Sequence, residues 1–179
     1  MPHIGPHVTL DEPAYIHDTA LLYGKVIVGK DASIWPHVVT RAEVHEIEIG
    51  ARTNIQDHVM IHVGFNTGTT IGEDCSIAHR AVLHGCSIGN RVLVGIGSII
   101  MDGAEIGDNS IVAGNAIVTE GVEFPPNSIV GGSPARLIKS ADNSVANLRN
   151  AQFYLMNARN YAEGLDRLLP EEMATLMSS

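Results

Sequence analysis

The chain is poor in several things on which other folds depend. Aromatic residues make up 4% of its 179 positions, with a single tryptophan, so stacked rings cannot carry the core. Only two cysteines are present, Cys75 and Cys86, which excludes a disulfide framework as the organising principle. Eleven basic residues face 20 acidic ones, for a formal net charge of −9. No run of Lys or Arg is available to track a phosphate backbone, so nucleic-acid binding is disfavoured. No apolar stretch approaches the ~18–20 residues needed to span a bilayer. The segment Met1-Pro2-His3-Ile4-Gly5-Pro6-His7 has no basic stretch followed by an apolar block, so a secretory signal is not expected. The expectation is a cytoplasmic protein with neither nucleic acid nor membrane as a partner.

What is present is aliphatic and repetitive. Hydrophobic residues reach 45%, and glycine is 18 of 179 positions, above the usual ~7%. Ile16, Leu22, Val28, Ile34 and Thr40 stand six apart, as do Ile88, Val94, Ile100, Ile106, Val112, Val118, Phe124 and Val130. Four residues after each large residue a second inward position is expected: Ala20, Val26, Ala32, Val38 and Val44, then Val92, Ser98, Ala104, Ser110, Ala116 and Val122. A period of six fits no α-helix. It fits a hexapeptide solenoid, three hexapeptides to each triangular coil, with coils stacked about 4.8 Å apart. The period slips at Thr40–Ile49, at Ile61–Ile71 and at Leu83–Ile88. Such slips are loops or corners.

The repeat covers about residues 10–132 and ends at Gly131-Gly132-Ser133-Pro134. The division expected is a β-helix domain over 1–138 and a helical segment over 139–179. Leu148, Ala151, Leu155, Ala158, Ala162 and Leu165 recur at three and four, predicting an amphipathic helix over about 144–167 with N-caps in Asp142-Asn143-Ser144. Pro170 can open a last short helix.

Counting with the slips places Thr40, Ile61 and Leu83 on one face of three adjacent coils. Their followers Arg41, His62 and His84 then stack outward. Asp57 and His79 stack on another face, and Trp35 lies next to Gln56. His62 and His84 are one coil apart and can share a metal ion. His79 cannot join them within one chain, but a neighbouring prism related by a three-fold axis brings it there. Three imidazoles with an open fourth position suit a catalytic zinc, although iron(II) and cobalt(II) suit the same donors. His3, His7, His17, His37 and His45 read as solvated or locally hydrogen-bonded, and Cys75 and Cys86 as buried thiols.

Arg41-Ala42-Glu43, Ile49 to Asp57, Ile61-His62-Val63, Ile77-Ala78-His79-Arg80 and Leu83-His84-Gly85-Cys86 together resemble the gamma-class carbonic anhydrases. Val94 to Gly97, Met101 to Ala104 and Gly131 to Ala135 extend the resemblance. It implies an all-β, left-handed parallel β-helix with a C-terminal α-helix. It also implies a homotrimer with zinc at each subunit interface, held by His62, His84 and His79, and hydration of CO2 to bicarbonate. It gives Arg41 an interface and bicarbonate-binding role, and makes Gln56 and Asp57 orient the metal-bound water and anchor Arg41. Tyr154, or Tyr161, is a candidate contribution from the helix. Glu43 stands where the family commonly has Asp. Active members carry an acidic insertion after the first ligand, whereas Val63 to Thr70 holds no carboxylate. Low activity without buffer rescue is therefore expected. Two rivals remain open: a hexapeptide-class acyltransferase with His79 as general base, and a non-enzymatic metal-bound scaffold subunit.

Overall fold

A computed structural model describes residues 1–167; the helix expected to open at Pro170 lies outside them. The chain winds as a left-handed parallel β-helix, in strands mostly two or three residues long, and ends in one α-helix, α1 (Ser144–Ala162). Three stacks of aliphatic side chains fill the axis. One runs Ile16, Ile34, Ile55, Ile77, Val94, Val112, Val130. A second runs Leu22, Thr40, Ile61, Leu83, Ile100, Val118. The third runs Val28, Ile49, Ile71, Ile88, Ile106, Phe124. Most of these residues are wholly buried, and burying one such side chain contributes about 1.5–3 kcal/mol. Because every coil covers the next, this stacking holds the tube together with one aromatic ring, Phe124, in its rows.

The second inward position follows the period except at the slips. Ala20, Ala32, Ala104 and Ala116 are fully buried, but Val44 is 66% exposed, contrary to expectation. The reason is that the slot is counted back from the following axis residue. Ile47, two before Ile49, pairs with Val26, two before Val28, and Ile47 is the buried residue. The extra residues around Glu43–Glu46 are pushed out at the corner. Thr69 and Cys86 fill the same slot before Ile71 and Ile88, and both are buried. The two long strands Leu21–Val28 and Val39–Ile49 carry this corner, joining two faces into one sheet.

Both ends of the tube differ from expectation. Strands His3–Ile4 and Val8–Leu10 already pair with Leu21–Val28, so the coil begins before residue 10. After the last coil, Ser128–Gly132 turns back into an antiparallel strand, Ala135–Ser140. Helix α1 stops at Ala162, so Leu165 lies beyond it, 49% exposed. Its fully buried positions are Asn147, Ala151 and Ala158, while Leu148 and Leu155 are half-buried. Asn147 displaces an apolar residue there because its Nδ2 donates to the carbonyls of Arg91 (2.7 Å) and Ser110 (3.1 Å). Asp142 accepts from the Ser144 N–H at 2.9 Å just ahead of the helix, whereas Asn143, which stands at the N-cap, makes no side-chain capping bond. The helix runs back along the face that carries Ser33–Ile34, Asn54–Ile55 and Ser76–Ile77. Near its end Arg159 reaches Asp31, and Trp35 packs edge-on against Tyr154 and Tyr161. Among the described residues no helix is long and apolar enough to cross a membrane.

Candidate metal centre

Strand register sets the site. Arg41 pairs with His62, and His62 with His84, so the three expected neighbours do stack. Nδ1 of His62 lies 3.0 Å from Nε2 of His84, with ring centroids 4.9 Å apart at 62°. Each ring has a carboxylate behind it. Nε2 of His62 lies 3.1 Å from Glu43 Oε2, and Nδ1 of His84 bonds Asp102 Oδ1.

An ionised carboxylate only accepts, so the ring nitrogen beside it must carry the hydrogen. A neutral imidazole bears one hydrogen, which leaves lone pairs on His62 Nδ1 and His84 Nε2. These tautomers follow from the partners. With both rings neutral, two lone pairs face each other at 3.0 Å, a repulsion that a cation between them would relieve. A tetrahedral ion with 2.0–2.1 Å bonds holds two donors about 3.3 Å apart. The pair therefore fits a divalent metal, and the carboxylates supply the outer support such ligands use.

Behind the rings, the backbone is tied from coil to coil. Thr69 Oγ1 donates to the His62 carbonyl (2.6 Å) and accepts from the Gly85 N–H (2.9 Å). Cys86, two residues past His84, points into the axis and is 1% exposed. Burial pushes both thiols up to about 12. Glu43 is held below the usual carboxylate range. Partial burial opposes this, but hydrogen bonds from its own backbone and from His62, with the charge of Arg41, outweigh it. A groove of about 960 Å³ opens beside Glu43, between the Glu43–Glu46 bulge and the loop at Thr67.

His79 sits elsewhere. It follows Ile77 at the turn leading to Val82–His84, at the opposite edge of the face that carries the histidine pair. Its Nδ1 lies 3.0 Å from Asp57 Oδ2. Gln56 is 3% exposed, and its amide donates to Asn54 Oδ1 at 2.9 Å. Asn54 in turn donates to Ser76 Oγ and the Cys75 carbonyl. Burial raises the Tyr154 phenol, and the charge of Asp57 raises it further. Within one chain Arg41 pairs with Glu43 and Asp57 with His79, so no Asp57–Arg41 anchor forms inside a protomer. Among the described residues no three His, Cys, Asp or Glu side chains of one chain converge to hold a metal.

The candidate residues thus fall into two half-sites. Arg41, His62 and His84 occupy one edge of a face; Gln56, Asp57, His79 and Tyr154 gather towards the other. Sequence reasoning missed Asp102, Thr69 and Asn54 as supports. The same phase counting carries a signal for Asp102, since Leu83 pairs with Ile100 and Asp102 turns the corner just above His84.

Comparison with known proteins gives a consistent picture. A family model described as bacterial transferase hexapeptide (six repeats) matches residues 85–120. Protein YrdA of Escherichia coli (strain K12) is 47% identical over 108 residues, 56% of this chain and 55% of that protein. Gamma carbonic anhydrase 1, mitochondrial, of Arabidopsis thaliana is 34% identical over 99 residues, 52% of this chain and 36% of that protein. The matches thus span about half or less of these relatives' own length. The crystal structure of a hexapeptide transferase family protein from Anaplasma phagocytophilum superposes with a TM-score of 0.82 at 35% identity, covering 86% of this chain and 92% of that one.

Proposed function

The chain belongs to the hexapeptide-repeat transferase family, with a gamma carbonic anhydrase among its relatives, and from that premise we propose that it is a trimeric metalloprotein that hydrates CO2. The observation that carries this is the 3.0 Å approach of His62 Nδ1 to His84 Nε2, with a carboxylate at the other nitrogen of each ring. The two half-sites lie on opposite edges of one face. A contact between unlike edges is heterologous, and three copies around a three-fold axis close it into a ring. His79 of each copy then meets the pair of the next and supplies the third imidazole.

His62, His84 and the neighbouring copy's His79 would hold a divalent ion, zinc foremost and iron(II) or cobalt(II) by the same donor logic, which would supply the Lewis acidity that brings the pKa of water to about 7. The reaction is CO2 + H2O giving bicarbonate and a proton. The buried Gln56 amide orients the attacking water across the interface, with Asp57 beside it. The Arg41 guanidinium, half exposed beside Glu43, offers N–H donors to the bicarbonate product. Tyr154, seated against Trp35, closes the helix side. With no carboxylate between Val63 and Thr70, proton release depends on buffer.

Metal content and CO2 hydration measured on one preparation test this reading. About one metal per chain, a rate that rises with imidazole buffer, and loss of metal in His79→Ala are expected. A metal-free protein, or a His79→Ala protein with full metal content, overturns it. A second reading has its own observation: the 3.0 Å His79–Asp57 pair is a carboxylate-oriented imidazole, as a general base of acyl transfer requires. Acetyl-CoA turnover by metal-free protein, abolished in His79→Ala, would favour it.

A further inference from the structure

We infer that Asp102 is a positioning residue for the metal, admitted to its place behind His84 by a notch that two glycines leave open. The inference deepens the reading above and rests on it. Asp102 stands on the coil after His84, 18 residues further along the chain, and its Oδ1 bonds His84 Nδ1. Its path to that nitrogen runs over Gly64 and Gly85. A Cβ on Gly85 would lie 2.5 Å from Thr67 Oγ1 and 2.6 Å from Asp102 Oδ1, and one on Gly64 would lie 2.5 Å from Thr67 Oγ1 and 2.9 Å from Asp102 Oδ2. Real Cβ atoms do not approach so closely, so neither position admits a side chain while Asp102 and Thr67 keep their places. Gly85 also has φ of +59°, the left-handed region that glycine adopts at little cost. The Gly85 N–H is fastened to Thr69 Oγ1 and to the His62 carbonyl. The backbone that forms the notch is therefore the backbone that aligns the two ligands.

The consequence is chemical. Asp102 accepts the Nδ1 hydrogen of His84, so the lone pair rests on Nε2, 3.0 Å from His62 Nδ1. Without that acceptor His84 is free to move its hydrogen to Nε2 or to rotate, and either change withdraws the lone pair from the shared point. Partners of this kind typically account for 10–100-fold in metal affinity. Glu43 performs the same task for His62 from the side of the groove, but no notch constrains it.

Two measurements on the full-length protein test the inference. In metal-free, 15N-labelled protein, nitrogen shifts of the imidazoles report the tautomer directly. His84 is expected as the Nδ1–H form in wild type and in Asp102→Asn, whose amide oxygen still accepts, and as a mixture with the Nε2–H form in Asp102→Ala. Zinc affinity, read by competition with a chromophoric chelator, is expected to fall 10–100-fold in Asp102→Ala and less in Asp102→Asn. Equal tautomers and equal affinity in wild type and Asp102→Ala would overturn the positioning role while leaving the metal reading intact. Absence of zinc binding by wild type would overturn both.

Discussion

The coils from Ile88 to Val130 and those from Thr40 to His84 are built on the same rows of axis residues, yet the candidate ligands His62, His79 and His84 all belong to the second group. In the later coils the six-residue period is unbroken and outward positions turn tightly, with Asn109, Asn115 and Asn127 in the left-handed region that asparagine tolerates. In the earlier coils extra residues enter at Glu43–Glu46 and at the Gly64–Gly68 loop. Strand register survives both insertions, as the pairings of Arg41, His62 and His84 show. The lesson is that a solenoid absorbs insertions at one corner without shifting its faces. The corner residues then become free to differ, and Glu43, the carboxylate beside His62, is found there, while Asp102 reaches His84 from the later coils.

The largest expected effect tests the shared scaffold. Ile61 and Ile100 occupy the same row and are fully buried, so Ile61→Ala and Ile100→Ala should each lose about 2–5 kcal/mol in urea unfolding. Only Ile61→Ala, which loosens the strand bearing His62, should also lower metal content. Equal metal loss in both would erase the distinction between the two regions.

Next come two glycines of one corner. Gly85 and Gly103 have φ of +59° and +66°. A Cβ at Gly103 meets nothing closer than 3.8 Å, whereas at Gly85 it meets Thr67 Oγ1 at 2.5 Å. Gly103→Ala should cost about 1–2 kcal/mol from backbone strain. Gly85→Ala should cost about 1–3 kcal/mol more from overpacking. Thermal unfolding of the pair checks the difference, and equal shifts would count against the notch.

The smallest effect has the opposite sign. Thr40 takes an axis position held elsewhere in its row by Leu, Ile or Val. Its hydroxyl is buried without a partner among the described residues, which costs on the order of 1 kcal/mol. Thr40→Val should recover about that much, raising the urea midpoint without changing metal content.

Much of this architecture is legible in the sequence. The axis rows, the pairing of Arg41 with His62 and His84, and the separation of His79 from that pair all follow from counting sixes through the slips. The counting misplaced Val44, because the small slot is fixed by the residue that follows it. It also missed the buried Asn147, because an amide on an apolar stripe has meaning only once the carbonyls of Arg91 and Ser110 are known to lie opposite.

A period of six determines which side chains point inward, since each coil must present its large residue to the axis or leave water there; the sequence alone therefore decides the tube and the stacked imidazoles. The tertiary structure alone decides which acid stands behind which ring. Glu43 and Asp102 reach His62 and His84 across 19 and 18 residues of chain. Their places depend on how a bulge and a glycine notch close over one corner; counting sets Asp102 above His84, but not its carboxylate on that ring's nitrogen.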